Sequence, residues 1–130
     1  MEVLLTNDDS ADSPLLDLAV RHLKKRGNVK VVVPKEEQSW KAKSITRFEP
    51  MTAETLQMDG VPAFTFSGTP ADCTNFGIYH LYEDGKPDLV VAGINMGANT
   101  GLAFTASSGT VGACLEANLA GLPAVALSQT

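Results

Sequence analysis

Two adjacent carboxylates, Asp8 and Asp9, follow the first apolar segment of the chain, Val3 to Thr6. Adjacent carboxylates repel each other when both are ionised, and a bound cation is a natural way to keep both charged. The alternative is that the pair caps the following helix or forms an Asx turn, as Asp-Asp pairs in loops usually do. The position directly after a strand favours a metal site, because ligands of open α/β sheets bind beyond the carboxyl ends of the strands.

Two further oxygen-bearing side chains follow predicted strands. Ser39 comes after the second strand, and Asn95 comes after the strand that begins at Leu89. If these strands are neighbours in the sheet, the two side chains converge with the two aspartates. Such an all-oxygen set favours Mg²⁺, Mn²⁺ or Ca²⁺ over Zn²⁺, which prefers histidine and cysteine. The sequence therefore predicts one bound divalent metal ion.

A polar helix start, Ser107-Ser108-Gly109-Thr110, is a candidate for binding an anion. Exposed N–H groups and the helix dipole attract negative charge there, and the hydroxyls add donors. The alternative is an ordinary serine N-cap followed by a glycine that permits close packing. A metal site next to this segment would favour the anion-binding interpretation, because enzymes that hydrolyse phosphate esters often place a metal ion beside a site that binds the phosphate. The glycine-rich run at 93–101 would let backbone approach a ligand, but its spacing is not that of a dinucleotide fingerprint.

The other chemically distinctive side chains have more ordinary interpretations. Trp40 either stacks on a substrate ring or fills a gap under its loop, since aromatic area is buried in both cases. His22 and His80 are expected to pack or cap, because neither follows a strand. Cys73 and Cys114 are expected to be buried free thiols.

Apolar β-branched segments alternate with helical patterns along the chain. Strands are predicted at 3–6, 29–33, 63–67, 89–94 and 124–127, with an extended piece near 52–58, a turn at 83–87, and helices at 14–26, 70–82 and 108–120. In the first helix the apolar stripe is predicted to be Leu15, Leu18, Ala19, His22 and Leu23. Alternation of this kind predicts an α/β fold, a three-layer Rossmann-like domain with a mostly parallel sheet covered on both faces.

Composition limits the classes of protein. The chain has 130 residues, 44% of them hydrophobic, which suits one domain over residues 1–130. The net charge of −5 argues against nucleic-acid binding, because affinity for the phosphate backbone comes from basic clusters. The densest cluster, Lys24 to Arg26, is expected to be a solvated helix end. A signal-peptide pattern and an apolar run of about 20 residues are both missing, so the prediction is a cytoplasmic protein with no membrane partner.

Five short motifs occur in an order that resembles a known family. They are Thr6-Asn7-Asp8-Asp9, Pro34 with Gln38-Ser39, Gly68-Thr69-Pro70-Ala71-Asp72-Cys73, Gly93-Ile94-Asn95 with Gly97-Ala98-Asn99, and Ser108-Gly109-Thr110-Val111-Gly112-Ala113. Together they resemble the SurE (survival protein E) family of metal-dependent 5'-nucleotidases. The resemblance covers the whole chain.

The resemblance implies specific roles. The metal would be held by Asp8, Asp9, Ser39 and Asn95, and the two aspartates would also be the catalytic residues. The phosphate and the substrate would be bound by Asn7, Asn99, Ser107, Ser108, Gly109 and Thr110. The implied reaction is hydrolysis of nucleoside 5'-monophosphates to nucleoside and phosphate, by a homodimer or tetramer.

The chain departs from the family pattern at three places. Ser10 replaces the usual glycine after Asn-Asp-Asp, and Lys41 to Lys43 stands where the family commonly has a Gly-x-Gly-His run. The loop between Asn99 and Ser108 lacks the usual aspartate and is one residue longer. Family chains are also much longer, so we expect this chain to lack the C-terminal part and to be weakly active or inactive while still binding metal.

Two other functions remain open at this stage. One is an aspartyl-phosphate phosphatase with an aspartate nucleophile, although that chemistry often spaces its first two acids two residues apart. The other is a non-catalytic domain that binds nucleotide or metal. Trapping of a phospho-aspartate would identify the first, and turnover of a chromogenic phosphate ester would exclude the second.

Overall fold

A single sheet organises the chain in the computed structural model, which describes residues 1–58, 60–83 and 85–130. The elements are β1 (Glu2–Thr6), α1 (Pro14–Leu23), β2 (Asn28–Pro34), β3 (Ala53–Thr55), β4 (Ala63–Phe66), α2 (Pro70–His80), β5 (Leu89–Met96), α3 (Leu102–Ser107), α4 (Gly109–Leu119) and β6 (Ala124–Gln129). The predicted turn at 83–87 includes Asp84, which lies outside the described residues.

The strand order is β3-β4-β2-β1-β5-β6. All pairs are parallel except β3 with β4, which is antiparallel. The predicted α/β fold with a mostly parallel sheet is confirmed. Because β1 lies between β2 and β5, the carboxyl ends of these three strands are adjacent, as the predicted site requires.

Alternate residues of the strands feed two separate cores. Val3 and Leu5 of β1 face α1, and Leu4 faces the opposite side, where α2 and α4 pack. All three side chains are fully buried. Burial of each contributes about 1.5–3 kcal/mol. These two cores make the three-layer arrangement and hold β1 rigidly behind the residues that follow it.

The buried face of α1 differs from the predicted one. Leu16, Ala19 and Val20 face the sheet, whereas Leu18 is 37% exposed and His22 is exposed with its ring bonded to the carbonyl of Leu18. Two sets of apolar residues fit the helical period in this leucine-rich segment. The set that packs on the sheet contains the β-branched Val20 and no histidine. The predicted stripe was right for Ala19 and Leu23, which pack in the core, and wrong for Leu18 and His22. The helix itself and its Pro14 start are confirmed.

The start of α2 is a capping box that also ties down a distant loop. The Thr69 side chain accepts from the N–H of Asp72, and the Asp72 carboxylate accepts from the N–H of Thr69. The Thr46 hydroxyl donates to the same carboxylate, and the Thr69 hydroxyl donates to the carbonyl of Ser44. The polar loop that follows β2 is therefore fixed to the helix start that the sequence predicted.

The remaining differences concern short elements. The six-residue helix α3 was not predicted, and α2 ends at His80 rather than near Tyr82. Cys73 and Cys114 are buried and free, as expected. Within the described ranges, no helix has the length and apolar character needed to span a bilayer.

Candidate metal and phosphate site

Hydrogen bonds join the three strand ends that carry the predicted ligands. After β2, the N–H of Gln38 donates to the carbonyl of Asp8 at 2.8 Å. At the end of β5, the N–H of Met96 donates to Asp9 Oδ2 at 3.0 Å. The Asp8-Asp9 segment is therefore bonded to the loops on both sides of it, which fixes the position of both carboxylates.

A cavity of about 190 Å³ lies at this junction. Six of the ten predicted site residues line it, namely Asp8, Ser39, Asn95, Asn99, Ser107 and Ser108. They come from the ends of β1, β2 and β5 and from the joint between α3 and α4. The structure thus brings together three of the four predicted metal ligands and three of the six predicted phosphate-side residues.

The other four predicted residues lie behind or beside the cavity wall. Asp9 is beside it, bonded to the end of β5. Asn7 is fully buried, and its amide donates to the carbonyl of Ser10 at 2.8 Å, while its Oδ1 has no hydrogen-bond partner among the described residues. Asn7 therefore supports the turn at Ser10, whose φ of 65° lies in the left-handed region. Glycine adopts that backbone conformation most easily, which agrees with the glycine that the sequence resemblance implies for this position.

Thr110 and Gly109 bring the start of α4 against Asp8. The Thr110 hydroxyl is fully buried and donates to Asp8 Oδ1 at 2.7 Å. A Cβ on Gly109 would lie 2.9 Å from the Cβ of Asp8, so only glycine permits this approach. The N-terminus of α4 is therefore packed directly behind the first carboxylate, as the predicted anion site beside a metal would require.

The two serines at this joint already have local partners. Ser108 Oγ accepts from the N–H of Val111, which is the ordinary N-cap considered as the alternative. The Ser107 hydroxyl donates to the carbonyl of Ala103. Both serines still line the cavity, so the cap and a role toward a ligand are compatible.

The neutral ligand candidates are oriented by their own bonds. The Asn95 amide donates to the carbonyl of Gly97 at 2.7 Å, which directs its nitrogen to the backbone and leaves Oδ1 on the other side of the amide. Ser39 Oγ donates to Glu37 Oε1 at 2.5 Å. On the far wall, the Asn99 amide donates to Ser128 Oγ at 2.8 Å.

Both aspartates are in surroundings that disfavour their charge. Burial is the main cause that raises the pKa of Asp8, and the carboxylate of Asp9 adds to it, while the hydrogen bond from Thr110 acts in the opposite direction. Burial and then Glu37 raise the pKa of Asp9, against the bond from Met96. A cation would relieve both effects, since it favours the ionised carboxylates.

The donor set fits a hard divalent cation. In the part of the chain that the structure describes, no three His, Cys, Asp or Glu side chains are grouped as metal ligands. A site at Asp8 and Asp9 would therefore complete its shell with neutral oxygens, and Ser39 and Asn95 are placed on the same cavity. Carboxylate, hydroxyl and amide oxygens suit Mg²⁺, Mn²⁺ or Ca²⁺.

Sequence reasoning missed much of the apolar wall. Met96, Gly97, Ala98 and Phe104 line the cavity, together with Trp40, whose role the sequence left open. The high glycine content of residues 93–101 was the one sequence feature that indicated a cavity wall made of backbone. Phe104 belongs to the unpredicted helix α3, so no sequence signal pointed to it.

Comparisons with known proteins agree along the whole chain. The family model described as "Survival protein SurE" matches residues 3–130. A "5'-nucleotidase SurE" from Methanopyrus kandleri is 46% identical over 129 residues, which cover 99% of this chain and 49% of that protein. A "5'-nucleotidase SurE 2" from Chlamydia caviae is 41% identical, covering 99% of this chain and 47% of that protein.

A solved structure agrees in fold as well. The crystal structure of the Sure protein from Aquifex aeolicus superposes with a TM-score of 0.86 at 38% identity, covering 98% of this chain and 50% of that one. The chain therefore spans about half the length of the curated relatives it matches.

Proposed function

The chain belongs to the SurE family, and from that membership we propose that it is the metal-binding part of a divalent-metal-dependent 5'-nucleotidase. The reaction is hydrolysis of a nucleoside 5'-monophosphate to nucleoside and phosphate. The observation that carries the proposal is the cavity on which Asp8, Ser39 and Asn95 meet, with Asp9 bonded at its side. Relatives that match nearly all of this chain are named 5'-nucleotidases.

The metal would be held by Asp8, Asp9, Ser39 and Asn95. When bound, a divalent cation polarises a phosphoryl oxygen and lowers the pKa of a coordinated water. The ion is Mg²⁺, Mn²⁺ or Ca²⁺ under this proposal, because the donors are all oxygen.

The chain's own residues supply positioning and proton handling. Thr110 fixes one oxygen of Asp8, and Met96 fixes one oxygen of Asp9. One of these two carboxylates would accept the proton of the attacking water or protonate the leaving group. The start of α4 and Asn99 are the donors that would hold phosphoryl oxygens.

The wider assignments are also proposals. Residues 1–130 form one domain of a protein that works in the cytoplasm as a homodimer or tetramer. Its substrate is a small phosphate ester rather than nucleic acid, in keeping with the net charge of −5.

Phosphate release from a nucleoside monophosphate tests the proposal. Turnover should require added Mg²⁺, Mn²⁺ or Ca²⁺, stop in chelator and return with metal. Asp8→Asn should lower kcat/KM on the order of 10²-fold or more, since it removes a metal ligand and a proton acceptor together. Asp17→Asn is the matched control, because Asp17 is an exposed carboxylate on α1.

Two results would overturn it. Metal binding without turnover of any phosphate ester, both by this chain and by a chain extended to the length of its relatives, would favour the non-catalytic alternative. A phospho-aspartate trapped during turnover would favour an aspartate nucleophile, which family membership does not favour.

A further inference from the structure

Two exposed aromatic rings line the rim of the cavity that also contains the oxygen-bearing side chains. Trp40 follows Ser39 in the loop after β2, and Phe104 lies in α3. Their ring centroids are 5.7 Å apart and their planes are inclined by 54°, so the rings form an open corner rather than a closed stack. Both line the same cavity as Asp8.

The two rings are left largely uncovered by the residues that the structure describes. Trp40 is 68% exposed and Phe104 is 52% exposed. Met96 on the same cavity is 55% exposed, and the neighbouring Leu102 is 88% exposed, so the rim is apolar as well as aromatic. An apolar rim beside a polar floor is typical of a ligand-binding surface rather than of a core. Trp40 therefore does not fill a gap under its loop.

The backbone at Trp40 is held in an unfavourable conformation. Its φ is 64°, in the left-handed region that bulky side chains avoid, and Ala42 has φ 50°. The contacts that hold the loop are made by backbone, since the N–H of Ala42 donates to the carbonyl of Ser107 at 3.0 Å. Strain at a residue whose side chain is not used in the core points to a role in binding.

A ligand that fits both parts has an anionic end and a planar ring. We propose that Trp40 and Phe104 form a stacking subsite for the base of a nucleoside monophosphate. The assignment of the phosphate end rests on the proposed function above. Every nucleobase presents a π-face, so stacking does not discriminate between bases. The subsite therefore selects phosphate esters that carry an aromatic ring over phosphorylated sugars. Loss of one ring lowers affinity by about tenfold.

The fluorescence of Trp40 reports this directly, since it is the only tryptophan of the chain. Adenosine monophosphate should quench its emission saturably in the presence of Mg²⁺, after correction for absorbance with free tryptophan. Glycerol phosphate should bind without that quenching. Phe104→Ala should weaken adenosine monophosphate binding about tenfold. Phe48→Ala should not, since Phe48 is an 85% exposed aromatic that does not line the cavity.

Kinetics provide the second readout. Trp40→Gly should raise KM for adenosine monophosphate about tenfold and leave KM for glycerol phosphate unchanged, while Trp40→Phe should restore most of the affinity. Glycine is the residue that best tolerates φ 64°, so a folding defect is not expected from that change.

Equal quenching by both esters, or unchanged binding in Phe104→Ala, would overturn the subsite. Turnover that persists without quenching by adenosine monophosphate would overturn the subsite and leave the proposed function intact. Quenching without turnover of either ester, by this chain and by a chain extended to the length of its relatives, would overturn the proposed function and leave the subsite intact.

Discussion

Asp8 is the residue on which the chemistry of the site depends. Its carboxyl is buried, faces another carboxyl at the next position, and has one oxygen fixed by the Thr110 hydroxyl. A buried carboxylate lowers the stability of the folded protein, so its presence is best explained by a ligand that it binds.

Thr110→Val tests how the site keeps Asp8 ionised. The hydrogen bond from Thr110 opposes the rise in the pKa of Asp8, so its loss raises that pKa further. Protons then compete with metal at a higher pH, because the ligand must be deprotonated to bind. Metal affinity should fall on the order of 10-fold, as for other groups that orient a ligand. The fall should be larger at pH 5 than at pH 8 in calorimetric titrations.

Thr110→Ser is the control, since it keeps the hydroxyl and should keep most of the affinity. A loss of metal affinity in Thr110→Val that is the same at both pH values would show that Thr110 acts through packing alone.

Single residues were predictable from sequence where the strand positions them. Asp8 and Ser39 follow β1 and β2, and Asn95 lies near the end of β5 rather than after it as predicted, so the parallel sheet alone brings all three to one edge. Trp40 and Phe104 meet only because α3 forms in a loop with no strong helix signal. Their pairing depends on tertiary structure, which no local pattern in the chain encodes.

At the scale of elements, one loop connects most of the site. The segment from Gln38 to Thr46 is bonded to Asp8 at its start and to the cap of α2 at its end. Its middle lies against the start of α4, where a Cβ on Gly112 would come 1.9 Å from the carbonyl oxygen of Ala42. The position of Ser39 and Trp40 therefore depends on the absence of a side chain at Gly112.

Gly112→Ala should displace this loop. A methyl group cannot occupy space that a backbone carbonyl fills, so the loop or α4 must move, at a cost of about 1–3 kcal/mol. Denaturant unfolding should show the loss of stability, and Trp40 emission should shift because its loop moves. Gly85→Ala is the control, since a Cβ there meets no atom within 4 Å. An unshifted emission in Gly112→Ala would mean that the loop is held independently of α4.

Elements were predicted best where local and tertiary preferences agree. The Thr69-Pro70 start of α2 is encoded by residues that cap each other, and the structure contains that capping box. In α1 the sequence allowed two apolar stripes, and only packing on the sheet decides between them. The antiparallel edge strand β3 was visible only as an extended piece, since pairing direction depends on the partner strand.

At the scale of the whole molecule, the sheet order sets the location of the site. β1 is flanked by β2 and β5 and has cores on both faces, so the residues beyond it are held by the most buried part of the fold. A rigid frame of this kind can keep two carboxylates together at a cost in stability. The balance between that cost and metal binding is measurable on the whole chain.

Metal should stabilise the molecule. Asp8→Asn should separate this stabilisation from the cost of burying two carboxylates side by side. The pKa values of Asp8 and Asp9 are raised, so their contribution to folding is fully present below the ordinary aspartate pKa and is lost as pH rises through the raised values. At pH 7 without metal, Asp8→Asn should therefore melt no lower than the natural chain. Its amide oxygen can still accept from Thr110.

With metal the order should reverse. A cation at 100 times its Kd stabilises the natural chain by about 2.7 kcal/mol, because it binds the folded state alone. That corresponds to a rise in Tm of several degrees for a domain of this size. Asp8→Asn should lose most of the rise, whereas Asp17→Asn, which changes an exposed carboxylate on α1, should keep it. Melting curves at pH 7 without and with Mn²⁺ measure the metal-free stability and the rise in Tm that the metal causes. A full metal response in Asp8→Asn would remove Asp8 from the metal site, because a ligand cannot be lost without loss of the stabilisation it supplies.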